Sequence, residues 1–483
     1  MFNSTPFAYR LLVLLSVATL AACSTVGPNY EAPQLEGVPS RWSQSTLQTQ
    51  PSDAQAMRTW WQAFQDPMLD QLVQRALAEN QDLGIALARL QQARAERIQV
   101  AAGQLPHVGL GAGGEATRSS KEIQGASGGR SHAWRAGFDA SWELDVFGGT
   151  RRAIESADAQ IDALRADRHA LQVSLLAELA ASYAELRTTQ ERLLIAQDNI
   201  RNLQESEQLA QRALNRGLGT EVEFLQARAE REYAEAQPPV FQADIAKLSH
   251  AIGVLVGGFP ADWDAPLAQP SRSLLRVPAL PLDLPSDVIR QRPDLQAAER
   301  RLAAATADIG VAEAERFPHF RIPLGLGTAA SVIHDLFSSA SLLWSVGLQA
   351  SQNLYDGGRA EAGVVAAQAQ AQAARLAYER DVRLALRDVE DALSSLHSER
   401  QRQVALSAAA QDSQQALDRA TQLYCQGLSA YLPVLIAQRA ANQARDALAV
   451  SRYGEVRGAI ALYKSLGAGW QPDTEQGDAT EQP

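Results

Sequence analysis

Few spacings in this chain are of a kind that does chemistry. Gly109-x-Gly111-x-x-Gly114 matches the dinucleotide fingerprint, and Gly325-x-Gly327-x-x-Ala330 nearly repeats it. That fingerprint works where a strand turns into a helix whose N-terminal N–H groups meet a pyrophosphate. Both glycine sets here lie inside alternating runs that lead into polar loops, so they read as strand glycines. Gly125-Ala126-Ser127-Gly128-Gly129 matches GxSxG, but in a low-complexity stretch with no strand-to-helix elbow to expose a nucleophile. The histidines, His107, His132, His169, His250, His319, His334 and His397, show no HExxH or paired spacing for a metal. Cys425 is lone, with no partner to activate a thiolate. The sequence therefore predicts no catalytic, cofactor-binding or metal-binding residues and no enzymatic activity.

One residue does carry chemistry. Arg10 precedes the apolar run Leu11 to Ala22, and Leu20-Ala21-Ala22-Cys23 closes it with small residues before a cysteine. The run is too short for a bilayer core of ~30 Å but suits a secretory signal. Its ending resembles a bacterial lipobox, which implies cleavage after residue 22 and acylation, palmitate included, of Cys23. Ser24 follows rather than Asp, and by resemblance to sorted lipoproteins that favours the outer membrane over retention at the inner one. Several acyl chains anchor stably where one would be marginal. Only two cysteines occur, so there is no disulfide framework to read. A net charge of -11 with no basic run offers nothing to a phosphate backbone, so nucleic acid is excluded as a partner.

The elements around these residues form a duplication. Asn80-Gln81-Asp82-Leu83 falls on Arg292-Pro293-Asp294-Leu295, and Leu105-Pro106-His107 on Phe317-Pro318-His319. Further on, Gly148-Gly149 matches Gly357-Gly358, and Gly217-Leu218 matches Gly427-Leu428. The two halves run from about 60 to 260 and from 285 to 465, a repeat that governs any reading of the fold. Residues 23–59 form an anchored extended segment, 261–284 a linker, and 471–483 a disordered tail. Thr150 to Arg216 and Val364 to Gln426 contain neither glycine nor proline. Each can reach roughly 95–100 Å as one helix. Leu179, Leu186, Leu193 and Ile200 recur at sevens, as do Val382, Val389 and Leu396, the spacing of helices packed as coiled coil. Each long helix reverses at a glycine turn, 216–220 or 426–429, and a second helix runs back. Trp61, Phe64 and Leu69 of the Trp60-Trp61 stretch read as core packing.

Strands precede each long helix. Trp134, Ala136, Phe138, Ala140, Trp142, Leu144 and Val146 alternate with Arg135, Asp139, Glu143 and Asp145. Expected strands are 107–116, 133–147, 319–328 and 342–354, apolar on one face and polar or glycine-rich on the other, as in a transmembrane β-barrel. Arg135, Asp139, Glu143 and Asp145 are then expected to face a water-filled lumen. Four strands are too few to enclose such a lumen, so several chains must share one barrel.

The chain resembles the TolC-type outer-membrane efflux factors, in their lipid-anchored OprM/NodT-like branch. The residues are Cys23 with Gly27-Pro28-Asn29-Tyr30, Trp60-Trp61, Trp142 to Gly148, Leu284-Pro285-Ser286-Asp287, Arg292-Pro293-Asp294-Leu295, Phe317-Pro318 and Tyr355-Asp356-Gly357-Gly358-Arg359. The resemblance implies a mainly α duplicated fold with four strands per chain, long helices forming a tunnel, and a homotrimeric barrel. It implies a passive gated outer-membrane conduit for drugs and other toxic small molecules, working with a periplasmic adaptor (a membrane fusion protein) and an inner-membrane pump of the RND type. Type I protein secretion uses the same architecture, and a lipid-anchored coiled-coil scaffold is the alternative from another class. By resemblance the tips, Arg216, Gly217, Leu218, Gly219, Thr220 and Gly427, Leu428, Ser429, meet the adaptor and close the channel. Relatives often carry aspartates just after the second tip, where this chain has Pro433 and Ile436. Glu221, Glu223 or Asp418 are the candidates to supply gate charge instead.

Overall fold

The computed structural model of this protein describes residues 25–34, 37–43, 54–118, 129–268, 275, 277–278 and 285–471. The signal segment, Cys23, the GxSxG stretch apart from Gly129, and the tail beyond Gln471 lie outside the described residues.

The described elements follow the duplication. In the first half, α1 (Pro67–Glu79) and α2 (Gln81–Ala102) lead into β1 (His107–Arg118) and β2 (Arg130–Leu144), then α3 (Gly149–Asn215), α4 (Glu221–Glu235) and α5 (Pro238–Leu255). In the second half, α6 (Pro285–Gln291) and α7 (Pro293–Ala314) lead into β3 (His319–Ala330), β4 (Leu342–Val346) and β5 (Gln349–Ser351), then α8 (Arg359–Cys425) and α9 (Tyr431–Ser465). The long helices α3 and α8 are both 67 residues and begin 210 residues apart. Thirty heptads separate them, so both present the same stripe.

Several expectations change. The second strand ends at Leu144 instead of 147, and Asp145 leaves the strand face to cap α3: its carboxylate accepts from the backbone N–H of Thr150 at 3.1 Å and of Arg151 at 2.9 Å. Orphan N–H groups at a helix start outweigh one more residue of alternation. The fourth strand breaks into β4 and β5 around Gly347-Leu348 and stops at Ser351. Gly347 donates to the Pro323 carbonyl at 3.0 Å, but Pro323 has no N–H to return, so one rung is lost while the register holds. The first returning helix is two helices, because Pro238-Pro239 ends α4 and starts α5, whereas Pro433 sits in the first turn of α9 and leaves it unbroken. The expected linker also begins with packed residues, since Trp263 and Leu267 are buried.

The chain folds as two compact units. Among the described residues, one comprises 25–34, 88–118, 129–165 and 297–379. Its sheet runs β1-β2-β3-β4, antiparallel throughout, with β5 also on β3. Phe147 stacks on Phe317 at 4.5 Å beneath it. Chain residues 25–30 are strapped to the helices of the same unit. The buried Arg152 donates to the carbonyls of Val26 and Gly27 at 3.0 Å each and to Asn29 Oδ1 at 2.8 Å, while Tyr30 donates to Glu299 at 2.9 Å. Gly27 has φ +87, and a Cβ there would stand 2.4 Å from Gly310 Cα.

The other unit comprises, of the described residues, 37–43, 54–87, 166–268, 275, 277–278, 285–296 and 380–471, and holds the largest core. Leu179 and Leu186 of α3 and Val382, Val389 and Leu396 of α8 are buried in this unit, while Leu193 and Ile200 are half-buried. Trp60 stacks on Tyr463 at 5.1 Å, and Trp61, Phe64 and Leu69 are buried as expected, with Trp60–Phe64 forming a 3-10 turn. Asp66 caps α1 and accepts the Tyr183 hydroxyl at 2.9 Å. Arg292 of the Arg-Pro-Asp motif donates to the carbonyl of Ser465 at 2.9 Å, holding the end of α9.

Candidate functional site

The sheet is built so that its two faces differ. Leu110 stands opposite Phe138, Phe138 opposite Leu326, and Leu326 opposite Trp344, so one apolar stripe crosses four strands. These side chains are not covered by the rest of the chain: Leu110 is 73 % exposed, Trp344 72 % and Phe138 56 %. An apolar face this broad left open is energetically untenable in water and favourable against hydrocarbon, because burial yields roughly 25 cal/mol per Å². Among the described residues no single helix is long and apolar enough to cross a membrane.

The opposite face carries Arg135, Asp139 and Glu143 among glycines. Asp139 stands opposite Gly109 on one side and Gly325 on the other, and a Cβ at Gly109 would approach its carboxylate to 3.2 Å. Gly137 stands opposite Gly327, where a Cβ would meet the partner Cα at 2.7 Å. Glycine therefore stands where any side chain would crowd the Asp139 carboxylate or the neighbouring strand. Glu143 accepts from His319 Nδ1 at 2.9 Å and pairs with Arg321 at 3.5 Å, tying β2 to β3. Arg135, Asp139 and Glu143 thus share one face as the alternation required, whereas Asp145 does not. The fingerprint glycines lie in β1 and β3 as strand residues.

The helix-hairpin tips occupy the other unit and are built alike. Gly217 (φ +70) and Gly427 (φ +73) close α3 and α8 in the left-handed conformation. Leu218 donates back to the Ala213 carbonyl at 2.9 Å and Gly217 to Leu214 at 2.9 Å; Leu428 and Gly427 do the same to Leu423 and Tyr424, both at 3.0 Å. Each tip is thus a Schellman cap, which satisfies the last carbonyls and turns the following residue outward. Leu218 is 81 % exposed and Leu428 72 %. Arg216 is exposed beside the first turn, and Ser429 is half-buried in the second.

The return helices start differently. Thr220 and Glu223 form a capping box, Glu223 N–H to Thr220 Oγ1 at 3.3 Å and Thr220 N–H to Glu223 Oε2 at 3.0 Å. Its other oxygen accepts from the Tyr431 backbone at 3.4 Å, so Glu223 joins the two tips. Ala430 caps α9 with no side-chain bond. Tyr424 and Tyr431 meet edge to face at 5.5 Å, and burial pushes the Tyr431 hydroxyl up to about 12. Glu221 is exposed in the first turn of α4; Asp418, exposed on α8, accepts from Gln414 at 2.8 Å. Ile436 is exposed near the start of α9, as is Pro433. The tyrosine pair and the tip-joining role of Glu223 were not legible locally; the Thr-x-x-Glu capping spacing was.

An open antiparallel sheet with a lipid-type face and a charged, glycine-rich face, joined to coiled-coil hairpins, defines a β-barrel channel subunit of the outer membrane. The family pattern of the outer membrane efflux proteins matches the chain twice, over residues 72–258 and 284–468. The chain belongs to that family. It is 32 % identical to the pyoverdine export outer membrane protein OpmQ of Pseudomonas putida, over 96 % of this chain and 98 % of that protein. It is 30 % identical to the cation efflux system protein CusC of Escherichia coli, over 96 % and 99 %. The solved outer-membrane channel OprN superposes with a TM-score of 0.88 at 38 % identity, covering 93 % of this chain and all of that one. The duplicated TolC-like fold, the outer-membrane location and the role of an efflux channel follow.

Proposed function

We propose that this chain is the passive, gated conduit of a tripartite small-molecule efflux system, assembled as a homotrimer and anchored through acylated Cys23. The observation that carries it is the sheet, whose four-strand path leaves two edges unpaired among the described residues, beside an exposed apolar face. Such a sheet persists in lipid only if other copies close it. Arg135, Asp139 and Glu143 then line the lumen, making it polar and charged. Arg216, Gly217, Leu218, Gly219 and Thr220 with Gly427, Leu428 and Ser429 meet a periplasmic adaptor, and the outward leucines at equivalent places of both tips support that role. Glu223 holds the tips together in the closed state, with Glu221 and Asp418 as further charges near the entrance. An inner-membrane pump of the RND type supplies energy and selection. The relatives named for pyoverdine export and for cation efflux differ in cargo, which supports a reading in which the pump chooses it. The test is accumulation of a hydrophobic fluorescent dye in cells lacking the protein and in cells given it back. Raised accumulation reversed by the intact gene supports the reading; unchanged accumulation argues for a dedicated cargo or protein secretion.

A further inference from the structure

The apolar face of the β1–β2 hairpin changes chemistry along its length. On that face of β2, Trp134 and Trp142 are eight residues apart, roughly 20 Å in height for a tilted strand. The two tryptophans thus bracket most of an apolar band about 25 Å tall, with an aromatic at each border. Trp142 marks the helix end, where its indole N–H donates to the Gln104 carbonyl at 2.9 Å. Trp134 marks the far end, and its ring lies over Gly114 of β1, where a Cβ would stand 2.4 Å from it. Beyond Trp134, on the same face, come His132 opposite Ala116 and Arg130 opposite Arg118. Arg118, Arg130 and His132 are all exposed. β3 has already ended at Ala330, opposite Trp134, so the hairpin runs on past it.

Like charges directly opposite each other on paired strands repel, so the Arg118–Arg130 pair weakens the hairpin unless an anion sits with it. Among the described residues no carboxylate pairs with either arginine, and Glu115 of β1 has lumen parity. Arg130 lies four residues past Trp134, about 10 Å further out in height, at the level of the lipid headgroups. We propose that Arg118 and Arg130, with His132 as a further donor, clamp a phosphate of an outer-leaflet lipid headgroup. In an outer membrane that headgroup is a phosphorylated glycolipid. Each guanidinium fork matches two phosphate oxygens, and two forks side by side hold one phosphate between them. Basic clusters at a membrane surface recognise anionic headgroups in this way, while Trp134 beneath packs on the first carbons of the acyl chains. The clamp is not a by-product of the fold, because the second hairpin lacks it. The 212 residues between His107 and His319 carry Arg118 onto Ala330, and the 210 between the starts of α3 and α8 carry Arg130 onto Ala340 and His132 onto Leu342. The proposal rests on the lipid-face reading above and adds a ligand at its outer border.

The experiment folds the full chain into phosphatidylcholine vesicles containing either lipid A or lipid A stripped of its phosphates. The protein is then extracted into mild detergent and weighed intact, which counts the lipid retained per chain. The unaltered chain should retain the phosphorylated lipid about tenfold better than the stripped one. Arg118→Gln with Arg130→Gln should abolish that preference while leaving retention of the stripped lipid unchanged. Either substitution alone should cut the preference to about a third, which keeps the test open if the double variant does not fold. Arg135→Gln makes the same charge change on the opposite face of β2 and should keep the preference. Equal retention of the two lipids, or a preference that survives the double substitution, overturns the clamp. An equal loss in Arg135→Gln assigns the preference to diffuse charge and overturns it as well. Displacement of lipid A by inorganic phosphate at equal concentration overturns the lipid as the ligand. A chain that inserts into neither kind of vesicle overturns the lipid-face reading itself, whereas insertion without preference leaves that reading standing.

Discussion

Two side chains show how much of this fold hangs on single residues. Arg152 is buried and donates to Val26, Gly27 and Asn29 in the segment just after the expected anchor site. Arg152→Ala leaves those acceptors without a charged donor, and removing such a partner costs about 2–4 kcal/mol. The expected result is faster protease cleavage near residue 25 and a lowered melting temperature in detergent; Gly27→Ala should act likewise, through its clash with Gly310. Asp356 makes a pH prediction. The backbone N–H of Ala360, then those of Gly358 and Arg359, hold its carboxyl below the ordinary aspartate value. With the folded pKa depressed, its stabilisation is present above the ordinary aspartate pKa and is lost as pH falls through the folded value. Asp356→Asn should therefore flatten the acid limb of a melting-temperature profile, and an unchanged limb would show that the cap contributes nothing.

At the scale of the element, the tips are where the two halves diverge in chemistry while matching in shape. Gly217 and Gly427 both adopt positive φ, so alanine at either costs about 1 kcal/mol and, at both, loosens the turns together. Thr220→Ala removes a capping box and should cost about 1 kcal/mol, whereas Ala430→Ser supplies a cap that α9 lacks and should raise the melting temperature. Glu223→Gln keeps the shape but drops the charge that joins the tips. Single-channel recordings in planar bilayers should show more frequent opening, and unchanged leakiness would remove Glu223 from the gate.

For the whole molecule, the decisive property is that the sheet's two faces differ, one apolar and exposed, the other charged and glycine-rich, as the proposed lipid and lumen faces require. Phe138→Arg places a charge on the apolar face at mid-strand and should cost about 2–4 kcal/mol in folding into lipid vesicles, while Asp139→Asn on the opposite face should leave folding unchanged. Equal effects of the two substitutions would contradict the assignment of lipid and lumen faces. Much of this was legible in advance, because alternation, heptads and glycine turns are local signals that repeat in both halves. Phe138 and Asp139 declare their faces by parity alone, and Leu179 and Val389 declare the core stripe by spacing alone.

What the sequence determined by itself is the duplication, the element types, the faces of the strands and the places where helices turn, since each follows from periodicity or from a backbone conformation that only glycine takes readily. Tertiary structure decided the rest. Asp145 continued the alternation on paper, yet the unpaired N–H groups of α3 claimed its carboxylate. The fourth strand carries no mark of its own for a break, which comes from Pro323 on the neighbouring strand opposite Gly347. Gly27 and Gly310, or Arg292 and Ser465, carry no local mark of each other, because contacts between residues so far apart in sequence depend on how the chain packs, and packing is a property of the folded chain.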